Sequence, residues 1–142
     1  MTPLFIDTAV LMYAAGAGHP LREPCRRIML AIGSGALEAV TSVEVVQELL
    51  HRFLAIRRIE IGTQLASDAM DTFAPVLPIS HALMRRVPTL ASRYPKLAAR
   101  DLVHVATCIH EGINEIVSPD RAFDQVSEIR RLDPVELAAN LG

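Results

Sequence analysis

Short apolar runs that end at a polar or turn-forming residue recur along the chain and predict the strands of a sheet. The first run ends at Asp7, and a later one, which begins at Pro75, ends at Ser80. Runs of this length, bounded by residues that favour turns, are typical of buried strands. Strands are therefore predicted for residues 3–6, 38–42, 75–79, 115–117 and 129–132.

Between these runs, apolar residues recur every three or four positions, which is the spacing of an amphipathic helix. Thr8 and Ser42 are expected to cap helices. Pro88 should break the helix that contains it, and Gly112 should end the following one. Helices are predicted for residues 8–13, 21–32, 43–58, 60–73, 80–94 and 97–111, with a last helix that begins at Asp133-Pro134.

Strands that alternate with helices predict parallel pairing, because a parallel connection needs a crossover that a helix usually supplies. No repeat, linker or low-complexity segment interrupts this pattern in the sequence. We therefore expect one α/β domain over residues 1–142, with a central parallel sheet of about five short strands flanked by helices.

Composition excludes several classes of protein. The chain has 142 residues, of which 51% are hydrophobic, and this excludes intrinsic disorder. Sixteen acidic against 14 basic side chains argue against nonspecific DNA coating or membrane binding through a basic surface. The high apolar content indicates either a surface reserved for a partner or helices rich in alanine.

The two cysteines, Cys25 and Cys108, lie far apart and lack the CxxC spacing of zinc or redox sites. They are interpreted as buried, reduced thiols. No apolar stretch has the length of a signal-peptide core or of a membrane span. These features predict a soluble, cytoplasmic protein without a membrane partner.

Four acidic residues are predicted to meet at one edge of the sheet. Asp7 follows the first strand, and Asp120 lies three residues beyond the fourth. Asp101 is in the first turn of the helix that leads to the fourth strand, and such a helix begins at the edge where the strands end. Glu48 lies in the second turn of the helix after the second strand, so its position is less constrained.

Carboxylates this close repel one another unless a cation compensates them. Mg²⁺ and Mn²⁺ favour carboxylate oxygens and retain several waters, so a hard divalent cation is the expected cofactor. Asp7, Glu48, Asp101 and Asp120 are the candidates to surround it. Such a cation lowers the pKa of a bound water and neutralises charge on a phosphodiester.

Each of these residues also has a purely structural interpretation. Asp7 and Asp120 suit a cap or a turn. Asp101 is favourable at a helix N-terminus, and Glu48 has the spacing for an ion pair with Arg52. Their common position favours a site more strongly than any one of them does alone.

Four segments, in this order, resemble the motifs of PIN-domain nucleases: FIDTAVLMY, TSVEVVQELL, ARDLVHVATCIHEG and IVSPDRAF. In particular they resemble VapC-type toxins of bacterial toxin–antitoxin pairs, and the resemblance extends over nearly the whole chain. It implies a PIN-like fold and an endoribonuclease that depends on Mg²⁺ or Mn²⁺. It also implies a homodimer and inhibition by a cognate antitoxin of the VapB type.

The same resemblance assigns roles to individual residues. Asp7, Glu48, Asp101 and Asp120 correspond to the four acidic positions of the family's metal site. Asp7 and Asp101 are expected to hold the metal directly, with Asp120 as the third ligand. Glu48 is expected to bind through a water or to help orient it. Thr8 and Ser118 correspond to the hydroxyl residues that flank those positions.

Two positions depart from the family pattern. Ala9 stands where many relatives have Asn, and Ala122 stands where a further Asp is frequent. Asp124, two residues later, is a candidate replacement for that Asp. The absence of an Asp at position 122 leaves open whether the site binds one metal ion or two.

Two arginines next to the predicted carboxylates are candidates for contacts with RNA. Arg100 and Arg121 are expected either to hold phosphates or to balance local charge. Without the four site acids, basic side chains outnumber the acidic ones, so the overall charge is compatible with a polyanionic substrate. Attack by an activated water predicts products with 5′-phosphate and 3′-hydroxyl ends.

Other interpretations agree less well with the chain. Glu48 with His51, and Asp101 with His104, have the spacing of di-iron bundles, but strands have no place in such a bundle. His104 is expected to be packed or hydrogen-bonded near the site. A haloacid-dehalogenase-like phosphatase would need an acid where Ala9 stands. A PIN-like module that binds RNA or protein without cleavage remains the alternative.

Overall fold

Four parallel strands form the sheet in the computed structural model, which describes residues 2–141. The strands are β1 (Leu4–Ile6), β2 (Ala39–Val40), β3 (Glu115–Val117) and β4 (Arg130–Leu132). They lie in the order β2-β1-β3-β4, and Ile6 pairs with Val117, which pairs in turn with Leu132. The predicted fold class, an α/β protein with a central parallel sheet, is confirmed with four strands rather than about five.

Eight α-helices accompany these strands within residues 2–141. They are α1 (Thr8–Ala15), α2 (Arg22–Gly33), α3 (Val43–Ala55), α4 (Ile59–Thr72), α5 (His81–Met84), α6 (Val87–Arg93), α7 (Ala99–Glu111) and α8 (Pro134–Ala139). A 3₁₀ turn over Arg121–Gln125 follows β3. The sequence predicted these elements in the correct order, with boundaries that differ by a few residues.

The central strand β1 is a continuous apolar run for a structural reason. Leu4, Phe5 and Ile6 are all buried, because β1 is paired on both edges and covered on both faces. The chain reaches the edge of the sheet only at Asp7. The first polar residue of the segment therefore stands at the carboxyl end of a rigid, central strand.

The prediction of a strand at residues 75–79 is wrong. This segment forms a single parallel bridge, in which the Leu77 N–H donates to the carbonyl of Thr41 and the Leu77 carbonyl accepts from the N–H of Val43. Its pairing partner turns into α3 at Val43 directly after the bridge, so the ladder has no further residue to pair with. The apolar run indicated burial correctly, but not strand pairing.

The predicted break in residues 80–94 is present, although it falls before the proline. Helix α5 ends at Met84, α6 begins at Val87, and Pro88 occupies the second position of α6. A proline costs little there, because the first N–H groups of a helix have no acceptor within it. Gly112 ends α7 at a φ of 70°, as predicted.

The core includes side chains from the segments that carry the candidate site residues. Phe5, Leu49, Val105, Ile116 and Phe123 are fully buried and come from strands and helices that also carry the candidate site residues. Truncation of one such side chain typically costs about 2–5 kcal/mol. The site therefore rests on a rigid support, which favours fixed positions for its side chains.

Cys25 and Cys108 are buried and free, as predicted. Burial raises the pKa of Cys25 to about 11 and that of Cys108 to about 12, so both thiols stay protonated at neutral pH. In the described part of the chain, no helix is both long enough and apolar enough to cross a membrane.

Candidate functional site

Asp7 is held in place by the turn between β1 and α1. Its N–H donates to the carbonyl of Val117 on β3, and its Oδ1 accepts a 2.8 Å hydrogen bond from the N–H of Thr8. Asp7 is thus the cap of α1, the role that the sequence had suggested for Thr8. Because Asp7 supplies the cap, the Thr8 hydroxyl is left for another partner.

The loop after β3 brings a second carboxylate to the same edge. The Ser118 hydroxyl donates to Asp7 Oδ2 at 2.6 Å and accepts from the N–H of Asp120 at 3.0 Å. Asp120 is exposed, and its Oδ1 accepts from the N–H of Ala122 at the start of the 3₁₀ turn. Ser118 therefore links the two aspartates, and its bond to Asp7 spans 111 residues of sequence.

Glu48 is fixed by two other elements. Its Oε1 accepts a 2.8 Å hydrogen bond from the Thr8 hydroxyl, and its Oε2 lies 3.3 Å from Nε of Arg100. The ion pair with Arg52 considered from the sequence is not formed. Arg100 precedes the aspartate of α7, so Glu48 is connected to both α1 and α7.

Helix α7 contributes Asp101 and His104, which lie one turn apart on the same face. His104 is fully buried, with Nε2 3.4 Å from Glu48 Oε1 and 3.6 Å from Asp7 Oδ1. One ligand atom each of Asp7, Asp101 and His104 lie within 4.8 Å of one another. His104 Nδ1 is buried without a hydrogen-bond partner among the described residues.

The electrostatics of this cluster show an excess of negative charge. Burial raises the pKa of Asp7. Burial, followed by the Asp7 carboxylate, raises the pKa of Asp101 to about 6, and the Asp120 charge acts in the same direction. Carboxylates are hard to ionise together in a buried position unless a cation compensates them.

The positively charged groups of the cluster, His104 and Arg100, interact mainly with Glu48. Burial acts to raise the pKa of Glu48, but hydrogen bonds from His104 and Thr8, with the charge of Arg100, hold it below its ordinary value. Burial acts to lower the pKa of His104, and the surrounding carboxylates raise it overall. Asp101 is left as the least compensated acid.

This set of donors fits a hard divalent cation. Oxygen ligands from Asp7 and Asp101 converge, and Asp120 is adjacent through Ser118. Asp101 is half-buried and Asp120 is exposed, so solvent reaches these carboxylates and can supply further ligands. Burial together with mutual repulsion is the pattern expected of carboxylates that bind a metal. The arrangement can hold such an ion and a water next to a bound phosphodiester.

A family model described as "PIN domain" matches residues 4–129 of the chain. The chain belongs to the PIN-domain family. The matched segment includes all four acidic residues of the cluster, and β4 and α8 lie beyond it.

Sequence similarity to curated relatives assigns this PIN domain to a narrower group within the family. It is 37% identical over 130 residues to VapC ribonuclease Mb1869c of Mycobacterium bovis and to ribonuclease VapC13 of Mycobacterium tuberculosis. Each alignment covers 91% of this chain and 98% of the relative. Ribonuclease VapC7 of M. tuberculosis is 34% identical over 137 residues. The chain therefore belongs to the VapC group within the PIN-domain family.

Solved structures with the same fold have little sequence in common with this PIN domain. VapBC2 from Rickettsia felis, bound to a promoter DNA fragment, matches with a TM-score of 0.71 at 13% identity. FitAcB from Neisseria gonorrhoeae matches with a TM-score of 0.69 at 16% identity. Both matches cover 92% of this chain and 97% of the other. They show that the fold is shared.

The PIN domain brings together most of the residues singled out from its sequence. Asp7, Asp101 and the flanking hydroxyls lie at the centre, with Glu48 to one side and Asp120 at the exposed rim. Asp124 is not part of this cluster, because its carboxylate forms an ion pair with Arg131 at 2.8 Å. Arg131 also donates to the carbonyl of Ser118, so this pair supports the loop of the site.

The sequence placed His104 near the site but did not identify its contacts. Its spacing of three residues from Asp101 was the available signal, since that spacing puts both on one helix face. The imidazole lies between carboxylates from α1 and α3, and this arrangement depends on three elements. Arg121 is exposed at the start of the 3₁₀ turn, next to Asp120.

Proposed function

We propose that this chain is a Mg²⁺- or Mn²⁺-dependent endoribonuclease and the toxin of a VapBC-type toxin–antitoxin pair. The observation that carries the proposal is the convergence of Asp7, Asp101 and His104 within 4.8 Å at the carboxyl edge of the sheet. Membership of the VapC group, whose relatives are named ribonucleases, supports RNA as the substrate. The proposed location is the cytoplasm.

Asp7 and Asp101 would hold the metal directly, and Asp120 would complete the set of protein ligands. A divalent cation bound there supplies an activated water and neutralises negative charge on the phosphodiester. Glu48 is a poor direct ligand, because Thr8, His104 and Arg100 already engage its oxygens. Its role is to fix α1, α3 and α7 relative to one another and to orient solvent.

Ser118 and Thr8 set the geometry of the carboxylates. The Ser118 hydroxyl holds Asp7 Oδ2, while the backbone of Thr8 holds Oδ1, so the Asp7 side chain cannot rotate freely. A fixed ligand avoids the cost of reorganisation when the substrate binds. The water that attacks the phosphorus displaces the 3′ oxygen, which leaves 5′-phosphate and 3′-hydroxyl ends.

The RNA backbone approaches this site past Arg100 and Arg121. Both side chains are exposed and flank a carboxylate of the cluster, and guanidinium groups bind phosphates through paired hydrogen bonds. Arg100 also stabilises Glu48, so its substitution affects both the substrate and the site.

The proposed partners are a VapB-type antitoxin and a second copy of the chain. The solved structure of VapBC2 is a complex of that kind, and exposed apolar side chains here are consistent with a partner surface. Leu30, Ile56 and Ile59 are 58–69% exposed. An apolar cleft of about 290 Å³ bordered by Leu11 and Met29 lies between α1, α2 and α4.

The experiment that tests this proposal compares the wild-type protein with Asp7→Asn. The variant should lose more than about 100-fold in RNA cleavage, the upper figure for loss of a residue that merely orients a metal ligand. Mn²⁺ binding, measured by calorimetry, should weaken in parallel. Glu44→Gln, a substitution of a half-buried residue in the first turn of α3 that lies outside the cluster, serves as the control and should cleave normally.

Two outcomes would contradict the proposal. Products with 2′,3′-cyclic phosphate ends would exclude attack by water on the phosphodiester. A wild-type protein that binds RNA but shows no heat with millimolar Mg²⁺ or Mn²⁺ would instead support a binding module without cleavage.

A further inference from the structure

A second pocket lies between α1, the loop that follows α1, and α3. This α1–α3 pocket has a volume of about 400 Å³ and is bordered by Ala9, Met12, Tyr13, His19, Arg52 and Phe53. Its size is within the usual range for pockets that bind small organic groups. None of the roles proposed above for the acidic cluster uses it.

The α1–α3 pocket is connected to the acidic cluster through the two helices that border it. Ala9 and Tyr13 lie on one face of α1, two and six residues after Asp7, so the Cα of Tyr13 is about 9 Å from the Cα of Asp7 along the helix axis. Arg52 lies one turn beyond Glu48 on α3. The Thr8–Glu48 hydrogen bond joins the two helices next to Ala9, which borders the pocket.

The pocket contains an aromatic pair. The rings of Tyr13 and His19 have centroids 4.5 Å apart and planes inclined by 31°. The N–H of Leu21 donates to His19 Nδ1 at 3.0 Å, which fixes the imidazole and leaves Nε2 to meet a ligand. A fixed aromatic surface costs little entropy when a planar group stacks on it.

Arg52 supplies a cation at the same pocket. Its expected partner Glu48 is bound to Arg100, and Arg52 forms no ion pair with any residue in the range 2–141. An unpaired guanidinium next to aromatic rings is able to stack on a base or to bind the adjoining phosphate. Met12 and Phe53 give the pocket an apolar floor.

We propose that the α1–α3 pocket binds one unpaired base of the RNA, on a nucleotide adjacent to the phosphodiester at the acidic cluster. Single-stranded RNA is recognised in this way, by bases that stack on aromatic rings and arginine planes. The inference rests on the proposed function for its substrate class. The pocket holds the strand in register with the carboxylates, and Tyr13, His19 and Arg52 determine how tightly it is held.

The test measures binding rather than cleavage. A fluorescein-labelled single-stranded RNA decamer that binds the wild-type protein is prepared in versions with one abasic ribose at successive positions. Affinity is measured by anisotropy in Ca²⁺ for the wild-type protein, Tyr13→Ala, Tyr13→Phe and Arg52→Gln. Arg27→Gln, an exposed arginine on α2 away from the pocket, is the matched control.

In the wild-type protein, one abasic position should weaken binding by about 5- to 100-fold, the range for loss of one stacked base. Tyr13→Ala should weaken binding of the intact RNA to a similar degree and should no longer respond to that abasic position. Tyr13→Phe, which keeps the ring, should retain most of the affinity. Arg52→Gln should weaken binding, whereas Arg27→Gln should not.

The outcomes separate this inference from the proposed nuclease. If Asp7→Asn loses cleavage while the abasic effect persists, both hypotheses are supported. If Tyr13→Ala folds, as judged by circular dichroism, and still binds the intact RNA like the wild-type protein, the base pocket is wrong even if cleavage is confirmed. Variants that weaken antitoxin binding but leave RNA affinity unchanged would also overturn it and assign the pocket to the protein partner.

Discussion

His104 is the residue on which the acidic cluster depends most at the scale of single side chains. It is fully buried and contacts carboxylates from α1 and α3 through one nitrogen, Nε2. A buried carboxylate that loses such a partner pays the cost of desolvation without compensation. We therefore assign His104 to positioning Asp7 and Glu48 rather than to contact with RNA.

Substitution of His104 should separate a positioning role from simple packing. His104→Leu keeps the apolar volume but removes the donor, and should reduce RNA cleavage and Mn²⁺ affinity by about 10- to 100-fold. His104→Gln places an amide N–H near the position of Nε2 and should recover part of both. Steady-state cleavage and calorimetry are the measurements.

Thr107→Val is the matched control for this pair. Thr107 is buried in the same helix, and its hydroxyl donates only to the carbonyl of Val103. This variant should keep normal Mn²⁺ affinity. Equal losses in His104→Gln and His104→Leu would show that the imidazole acts through its shape alone.

At the scale of elements, the site depends on the close contact between α3 and α4. Gly62 on α4 faces Phe53 on α3, and a Cβ at Gly62 would lie only 2.7 Å from the Cβ of Phe53. The absence of a side chain at this position allows the two helices to approach. Phe53 also borders the α1–α3 pocket, so this contact bears on the pocket as well.

Gly62→Ala should destabilise the protein although alanine favours helix more than glycine does. The clash requires the helices to separate, which typically costs about 1–3 kcal/mol, and this exceeds the propensity gain of roughly 1 kcal/mol at most. Urea denaturation measures the change. Gly33→Ala on α2, where no atom lies within 4 Å of the added Cβ, should be neutral or stabilising. A stabilised Gly62→Ala protein would show that α3 and α4 are packed less closely.

The helices and strands also show which structural features the local sequence pattern predicts and which it does not. The cap residue Asp133, the terminator Gly112 and the strand β3 were predicted correctly, because each depends on a few adjacent residues. The segment 75–79 was predicted incorrectly, because its pairing depends on where α3 begins, some 30 residues earlier in the chain. Apolar runs indicate burial, whereas strand pairing requires a partner.

At the scale of the whole molecule, stability should depend on pH and metal together. Burial and the neighbouring carboxylates raise the pKa of Asp101 to about 6 in the folded protein, above the value of about 4 for an unfolded chain. Between these values the folded state binds more protons than the unfolded one. The contribution of Asp101 therefore favours folding at low pH and is lost as the pH rises through 6.

A bound metal should reverse this dependence, because it requires the ionised carboxylate. At a Mg²⁺ concentration about 100 times the dissociation constant, the metal should stabilise the fold by about 2.7 kcal/mol at pH 7. At pH 5 the gain should be smaller by roughly 1 kcal/mol, since protons compete at Asp101. Urea denaturation with and without Mg²⁺ at both pH values gives the measurement.

Asp101→Asn provides the control for this linkage. Without the Asp101 carboxylate, the stabilisation by Mg²⁺ should be weaker at pH 7 and should change less between pH 5 and pH 7 than in the wild-type protein. The remaining change comes from Asp7, whose pKa is also raised by burial. A wild-type protein that Mg²⁺ stabilises equally at both pH values would show that Asp101 is not a ligand.

The sequence alone determined the order of the elements, the parallel sheet and the edge at which the acidic residues lie. These follow from apolar periodicity and from the rule that parallel strands end at one edge, both of which are local or topological. It also identified Asp7 and Asp101 as the central pair. The tertiary structure decided which polar groups meet: Ser118 binds Asp7 across 111 positions, and Thr8 binds Glu48 across 40. The tertiary structure also decided that Glu48 pairs with Arg100 and not with Arg52, which leaves Arg52 for the α1–α3 pocket. This choice depends on distances between helices, and residue spacing along the chain does not determine those distances.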